Sequence, residues 1–328
     1  MIAAYNRPET LQDLIDDLAK QDLDVAAKAA LEVVVVDDGS TPPLAVDVPA
    51  DLRCAILRQA NAGPGAARDL GIRAASGEVM VIVDDDMTVP ADFIGAHLRA
   101  HEAGATVVLG LIREPEGSGR RPLFDRFHHH SLDRFVAAHR DGHATVHGGR
   151  MCTGNASFRR DAYMDVGGFD TSMRRCEDRD LGLRMEVRGE RFVFEEEAWS
   201  SHRSDHADVQ TWFRRSAEWG AADVTISAKL PDLPHASPWA FFADLPRLVH
   251  PMAIASAALP MAGRFTARGF YAIARLVDRT GKDRLTMMAV TMSYAMSYYA
   301  GVGTALKSRR SVWDSYRAWK HRTRMPLA

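Results

Sequence analysis

Cysteine is scarce in this chain. Only Cys54, Cys152 and Cys176 occur among 328 residues. They are odd in number, far apart and never in a CxxC spacing, which excludes a disulfide framework and argues against structural zinc. A reducing cytoplasm suits such usage best. A charge excess is also missing. The net charge of −2 gives no reason to expect nucleic acid or another polyanion as a global partner. The N-terminus lacks a basic segment followed by an apolar one, so no signal peptide is expected. Internal repeats and low-complexity tracts are absent. Long apolar runs are few. Leu285–Leu306 carries no charged residue, yet its serines, threonines, tyrosines and glycines dilute it. It reads as a buried or interfacial helix, with a membrane span as the alternative.

What charge asymmetry there is lies at the end. From Gly301 onward, seven Lys/Arg face one Asp, a local charge of +6. With Arg284 before the uncharged stretch and Lys307, Arg309 and Arg310 after it, two readings stand. One is peripheral attachment to an anionic membrane surface, at the inner face of the plasma membrane and near a lipid-linked or envelope acceptor. The other is a soluble helical cap.

The most informative residues are acidic. Val79–Val83 reads as a buried strand, and Asp84, Asp85 and Asp86 follow it directly. Three adjacent carboxylates at a strand end repel one another and cost desolvation, which a divalent cation would relieve. Mg²⁺ or Mn²⁺ held by so few carboxylates completes its shell with water and substrate phosphates. The pattern therefore suggests a metal–diphosphate site, against the plainer reading of a solvated acidic turn. A second acidic pair, Glu177-Asp178, follows about ninety residues later.

The first half alternates strands and helices. Strands are expected at Ile2–Ala4, Glu32–Val36, Ile56–Leu57, Glu78–Val83 and Thr106–Ile112. Helices are expected from Pro8, over Ala66–Ala75 and from Pro90. The first strand is short: either it frays or the natural strand begins earlier. Such alternation implies a doubly wound, mostly parallel α/β sheet flanked by helices. Its ligands would lie beyond the carboxyl ends of the strands. Residues 113–150 read as an insertion rich in Arg, His and Gly. Order resumes with a strand at Ala156–Phe158, helices near Asp161–Val166 and over Glu177–Val187, and a strand near Arg191–Phe194. Beyond Asp208 the pattern is helical. This gives a catalytic domain over 1–205 and a helical C-terminal extension over 206–328.

Six segments stand in one order: Ala3-Ala4-Tyr5-Asn6-Arg7-Pro8-Glu9, Val33–Ser40 with Asp37-Asp38-Gly39-Ser40, Asn61–Arg68, Asp84-Asp85-Asp86, Gly167-Gly168-Phe169-Asp170 and Cys176–Leu181. Their order and spacing resemble family 2 glycosyltransferases of the GT-A fold, over about residues 1 to 205. The resemblance implies an inverting transfer from a nucleotide-sugar with a divalent metal. It implies donor binding by Ala3, Tyr5, Arg7, Asp38, Arg68, Asp84 and Asp85. Asp38 would accept from the uracil N3–H, and Tyr5 would pack near the base. Ala3 stands where the family usually has proline. Asp86, Asp84 and His202 would serve the metal, with His206 as a competitor to His202. Asp178 would be the general base, with Glu177 orienting the acceptor or supporting the loop.

Residue chemistry offers plainer alternatives at several positions. Asp38 could be an Asx turn with Gly39-Ser40, Tyr5 a core residue and Arg68 a surface arginine. Asp180 and Arg184 sit at helical spacing and suit a structural ion pair. His128-His129-His130 would splay around a helix, which argues against a shared metal.

The expected function is a non-processive inverting glycosyltransferase. Its donor would be a UDP-sugar in preference to a GDP- or dTDP-sugar, and its acceptor a saccharide, lipid-linked or small-molecule hydroxyl. The processive members' Gln-x-x-Arg-Trp element is missing; Gln210-Thr211-Trp212-Phe213-Arg214 has similar letters in another order. A nucleotidyltransferase on the same scaffold, or a non-catalytic carbohydrate-binding member, are the alternatives.

Overall fold

The computed structural model describes residues 1–115, 121–202 and 208–323. In chain order the elements are β1 (Ile2–Ala4), α1 (Pro8–Ala19), α2 (Val25–Ala30), β2 (Val33–Asp37), β3 (Cys54–Arg58), α3 (Pro64–Ala74), β4 (Val79–Val83), β5 (Met87–Thr88), α4 (Phe93–Glu102), β6 (Val107–Arg113), α5 (Leu123–Arg140), β7 (Asn155–Arg159), α6 (Arg160–Asp165), α7 (Glu177–Val187) and β8 (Phe192–His202). Then come α8 (Val209–Lys229), α9 (His250–Ala258), α10 (Pro260–Asp278), α11 (Asp283–Leu306) and α12 (Arg309–Arg322).

The chain divides into two units. The first holds the strands with α1–α4, α6 and α7; the second holds α5 and α8–α12. The segment read as an insertion is thus split, and α5 groups with the later helices.

In the first unit β1, β2 and β3 pair in parallel. Four consecutive β-branched valines make β2, and every one is buried. A second sheet runs β4-β7-β6-β8-β5. There β6 and β8 are parallel, while β7 and the two-residue β5 insert antiparallel. Met1 joins the sheets. Its N donates to Val81 O at 2.8 Å and its O accepts from Val83 N at 3.3 Å. That is the bonding of a parallel pair, so β1, β2 and β4 end on one edge. α1 starts with Pro8 and buries Leu11, Leu14, Ile15 and Leu18 against this layer.

β8 is longer than the sequence suggests, because Glu195, Glu196 and Glu197 interrupt its apolar pattern. Its register against β6 shifts between Gly110 and Leu111, so Gly110 pairs with Glu195 but Leu111 pairs with Trp199. The β-bulge takes up the acidic run and lets the strand continue to His202.

In the second unit, α11 is the central helix and buries most of Thr286–Gly303, while Leu285 and Met288 stay nearly half exposed. Glycines bring backbones together: a Cβ on Gly301 would meet the Ala217 carbonyl of α8, and one on Gly303 the Ala257 carbonyl of α9. His128 lies on α5 and accepts from Trp212 Nε1 at 3.2 Å, a packing role. Among the described residues no helix is long and apolar enough to cross a membrane.

Candidate active site

The site assembles where β1, β2 and β4 end. Asp84, Asp85 and Asp86 leave β4 together; Asp84 meets Arg68, while Asp85 and Asp86 share Arg7. Asp84 Oδ1 accepts from Arg68 Nη2 at 2.6 Å. Asp85 accepts from Tyr5 N at 3.2 Å and Arg7 Nη1 at 3.1 Å. Asp86 Oδ2 accepts from the same Arg7 nitrogen at 2.8 Å and lies 3.2 Å from His202 Nε2. β5 explains the histidine's position: Met87 pairs with His202 across the β5–β8 ladder, one residue from Asp86.

Electrostatics separates the three acids. Burial, with Asp86 adding repulsion, raises the Asp85 pKa to about 6 although Arg7 opposes it. Asp86 is equally enclosed, but the bond and charge of His202, then Arg7, outweigh burial and hold its pKa below the usual value. His202 moves the other way. Burial works against its proton, yet Asp86 and then Asp84 raise its pKa. Asp86 Oδ1 is buried and has no hydrogen-bond partner among the described residues. An orphaned carboxylate oxygen is costly. Beside Asp84, a third of whose side chain is accessible, it offers a hard oxygen ligand for a divalent cation. The residues therefore fit a bound Mg²⁺ or Mn²⁺.

Arg68 ties the two acidic clusters together. It is buried on α3, whose first residues Pro64 and Gly65 follow Gly63. Its Nη1 donates to Glu177 Oε1 at 2.8 Å while Nη2 holds Asp84. Burial disfavours the guanidinium, but Asp84 and then Glu177 more than compensate and raise its pKa. A Cβ on Gly65 would come 3.1 Å from Glu177 Cγ, so glycine lets α7 approach α3 closely. Arg68 Nε is buried without a partner among the described residues.

Asp178 follows Glu177 in the first turn of α7, behind a left-handed Cys176 (φ 59°). Its Oδ1 accepts from Arg179 N at 2.7 Å. Burial first, then Glu177, pushes its pKa up to about 7, against backbone donors and Arg68. Asp180 and Arg184 form the expected pair, at 2.8 Å. Arg184 also donates to Val166 O and Gly168 O, which pins the Gly167-Gly168 turn to α7.

Other expected residues are placed less directly. The Asp38 carboxylate accepts from Gln59 Nε2, Ala62 N and Gly63 N at 2.7–2.9 Å. It is buried and shapes the loop that starts α3. Asp37 likewise serves Ser40, Leu44 and Arg58. Tyr5 is half exposed at 48%. Ala3 lies inside β1 opposite Val36. His206 falls outside the described residues.

Sequence reading missed the strand-side wall. Cys152 is exposed at the surface, yet crowding by neighbouring atoms and then the charges of Asp178 and Asp84 act together to raise its thiol pKa. A Cβ on Gly154 would come 3.2 Å from Asp84 Oδ2. Asn155 donates from Nδ2 to Leu111 O and Ala198 O, at 3.1 and 2.9 Å. It thereby clamps the β6–β8 bulge upstream of His202. No motif marks a buried asparagine, although the neighbouring Gly110, whose Cβ would strike its amide, is a faint signal.

The chain is similar to known proteins. Residues 1–167 match the family described as glycosyl transferase family 2. The chain belongs to that family. The pre-mycofactocin glycosyltransferase of Mycobacterium tuberculosis is 30% identical over 217 residues, covering 63% of this chain and 45% of the relative. The glucosyl-dolichyl phosphate glucuronosyltransferase of Haloferax volcanii is 26% identical over 190 residues, covering 53% and 59%. This family 2 member thus spans about half the length of these relatives. Among solved structures, the mannosyltransferase PcManGT from Pyrobaculum calidifontis, in complex with GDP-Man and Mn²⁺, aligns with a TM-score of 0.58 at 18% identity. That alignment covers 95% of this chain and 86% of the other. The fold is the GT-A fold of glycosyltransferases.

Proposed function

We propose that this chain transfers one sugar from a nucleoside-diphosphate donor, a UDP-sugar, to an acceptor hydroxyl with inversion at the anomeric carbon. The observation that carries the reading is the Arg68 bridge from Asp84 to Glu177, with Asp178 next in the chain. It links a strand-end set able to hold metal and diphosphate to a carboxylate able to take a proton.

Asp178 accepts the acceptor O–H proton as the oxygen attacks the anomeric carbon. The bond from that carbon to the diphosphate oxygen breaks, and the leaving diphosphate keeps the electron pair. Glu177 stays on Arg68, so the proton goes to its neighbour. Arg68 and Arg7 fix the three aspartates, and Arg68 places positive charge beside the departing diphosphate. Asp86, Asp84 and His202 would hold Mg²⁺ or Mn²⁺, which when bound neutralises the charge that develops on the diphosphate. Exposed Tyr5 offers a face for the base, and Asp38 holds the loop beside it. The acceptor is a saccharide, lipid-linked or small-molecule alcohol of cell-envelope glycan synthesis, and the site lies in the cytoplasm where nucleotide-sugars are available.

The test is a panel of UDP-, GDP- and dTDP-sugars, followed by nucleoside diphosphate release with and without Mn²⁺. NMR of the anomeric proton would read the stereochemistry. Pyrophosphate release would favour a nucleotidyltransferase. Donor binding without turnover across a broad acceptor panel would favour a carbohydrate-binding role.

A further inference from the structure

Helix α10 is apolar on two opposite faces. Its inner face is made of small residues: Gly263, Ala267 and Ala274 are buried, and α10 packs on α11. Its outer face carries large ones. Phe265 is 67% exposed, Met261 65%, Leu276 61% and Ile273 50%. At about 100° per residue, Met261, Phe265 and Leu276 fall within one narrow stripe, and Ile273 borders it. Arg264, Arg268 and Arg275 fall together along one side of that stripe. The helix has a single acid, Asp278, and it is engaged by Arg126 at 2.7 Å. Among the described residues no carboxylate pairs with Arg264 or Arg275.

A surface helix normally turns charge outward and apolar groups inward. This one turns large apolar groups outward and borders them with arginines, of which Arg268 meets Gln210 and the Phe213 ring and none meets a carboxylate among the described residues. Its arginines prevent it from spanning a bilayer. A second copy is a poor match, because a twofold contact through this face would set arginines against arginines without an acid between. A bilayer rich in anionic headgroups answers both halves: acyl chains take the stripe and phosphates take the arginines. Most of Leu285–Leu306, the obvious lipid candidate in the sequence, is buried in α11 and unavailable; of its large apolar side chains only Leu285 and Met288 are left nearly half exposed among the described residues.

We infer that the outer face of α10 is a membrane-surface site that seats this chain on an anionic lipid bilayer. The inference stands apart from the sugar-transfer reading, since none of these residues belongs to the candidate active site.

The experiment is co-sedimentation of the full chain with vesicles of phosphatidylglycerol in phosphatidylcholine, against phosphatidylcholine alone, at low and high salt. Binding is expected only with phosphatidylglycerol and is weakened by salt. The pair Phe265→Glu and Leu276→Glu should weaken it at least tenfold. The pair Arg264→Gln and Arg275→Gln should weaken it by about fivefold per arginine. These positions are exposed, so unchanged melting curves and unchanged donor turnover serve as folding controls. Three results would each overturn the inference: no binding to anionic vesicles at low salt, binding insensitive to both variant pairs, or a wild-type dimer that the Glu variants dissociate while vesicle binding is absent.

Discussion

Replacing Asp178 by Asn removes one charge, keeps the shape, and should move activity and stability in opposite directions. Without a base to take the acceptor proton, turnover should fall by about 10²–10⁴-fold. Stability should rise at alkaline pH. The folded carboxyl has its pKa raised from 3.8 to about 7, burial being the main cause, so folding disfavours its ionised form. That cost is absent below pH 4, grows as the pH rises, and is complete above about 7. A sealed carboxyl would carry roughly 4 kcal/mol, at about 1.36 kcal/mol per unit. Asp178 is partly accessible to solvent, so about 1–2 kcal/mol is the reasonable size after screening. Asn carries no such cost, and its gain should be largest at pH 8 and shrink toward pH 5. The assays are nucleoside diphosphate release, and thermal melting at both pH values. In the wild type, kcat should rise with pH toward a plateau above about 7, and in the variant this limb should vanish. Turnover within threefold of wild type, or a melting shift identical at the two pH values, would refute the reasoning.

The neighbouring residue should behave in the opposite way. Glu177→Gln strips the buried Arg68 of one of its two carboxylates and should destabilise the protein by about 3–5 kcal/mol in denaturant melts. Asp86→Asn should leave the fold intact but abolish any tightening of UDP binding by Mn²⁺ in calorimetry, because the orphaned oxygen is lost as a ligand. Asn155→Ala removes the amide's bonds to Leu111 O and Ala198 O and its contact with buried His97 Nε2 and should cost about 1–3 kcal/mol for each buried group left unsatisfied; it should also weaken the Mn²⁺ effect by loosening His202.

Much of this protein was legible in the chain because the signals are local. Val33–Val36 and Val79–Val83 can only be buried strands, and acids placed directly after them must lie at a sheet edge. Pro8 and Pro64 begin helices because proline's missing N–H costs nothing there. The uncharged stretch 285–306 could be read as a helix; its burial was decided by Gly301 and Gly303, which admit the backbones of α8 and α9. Tertiary structure alone decided the rest. The Arg68 link spans 109 residues to Glu177, and no local pattern encodes it. The carboxylate of Asp38 looks the same in sequence whether it meets a base or a loop; only the fold shows Ala62 and Gly63 donating to it. Asn155 and the bulge it clamps depend on three strands meeting. The sequence by itself determined which residues carry charge and where the backbone must turn. Folding decided which charges share one low-dielectric space, and there distance and desolvation set the pKa values on which the chemistry depends.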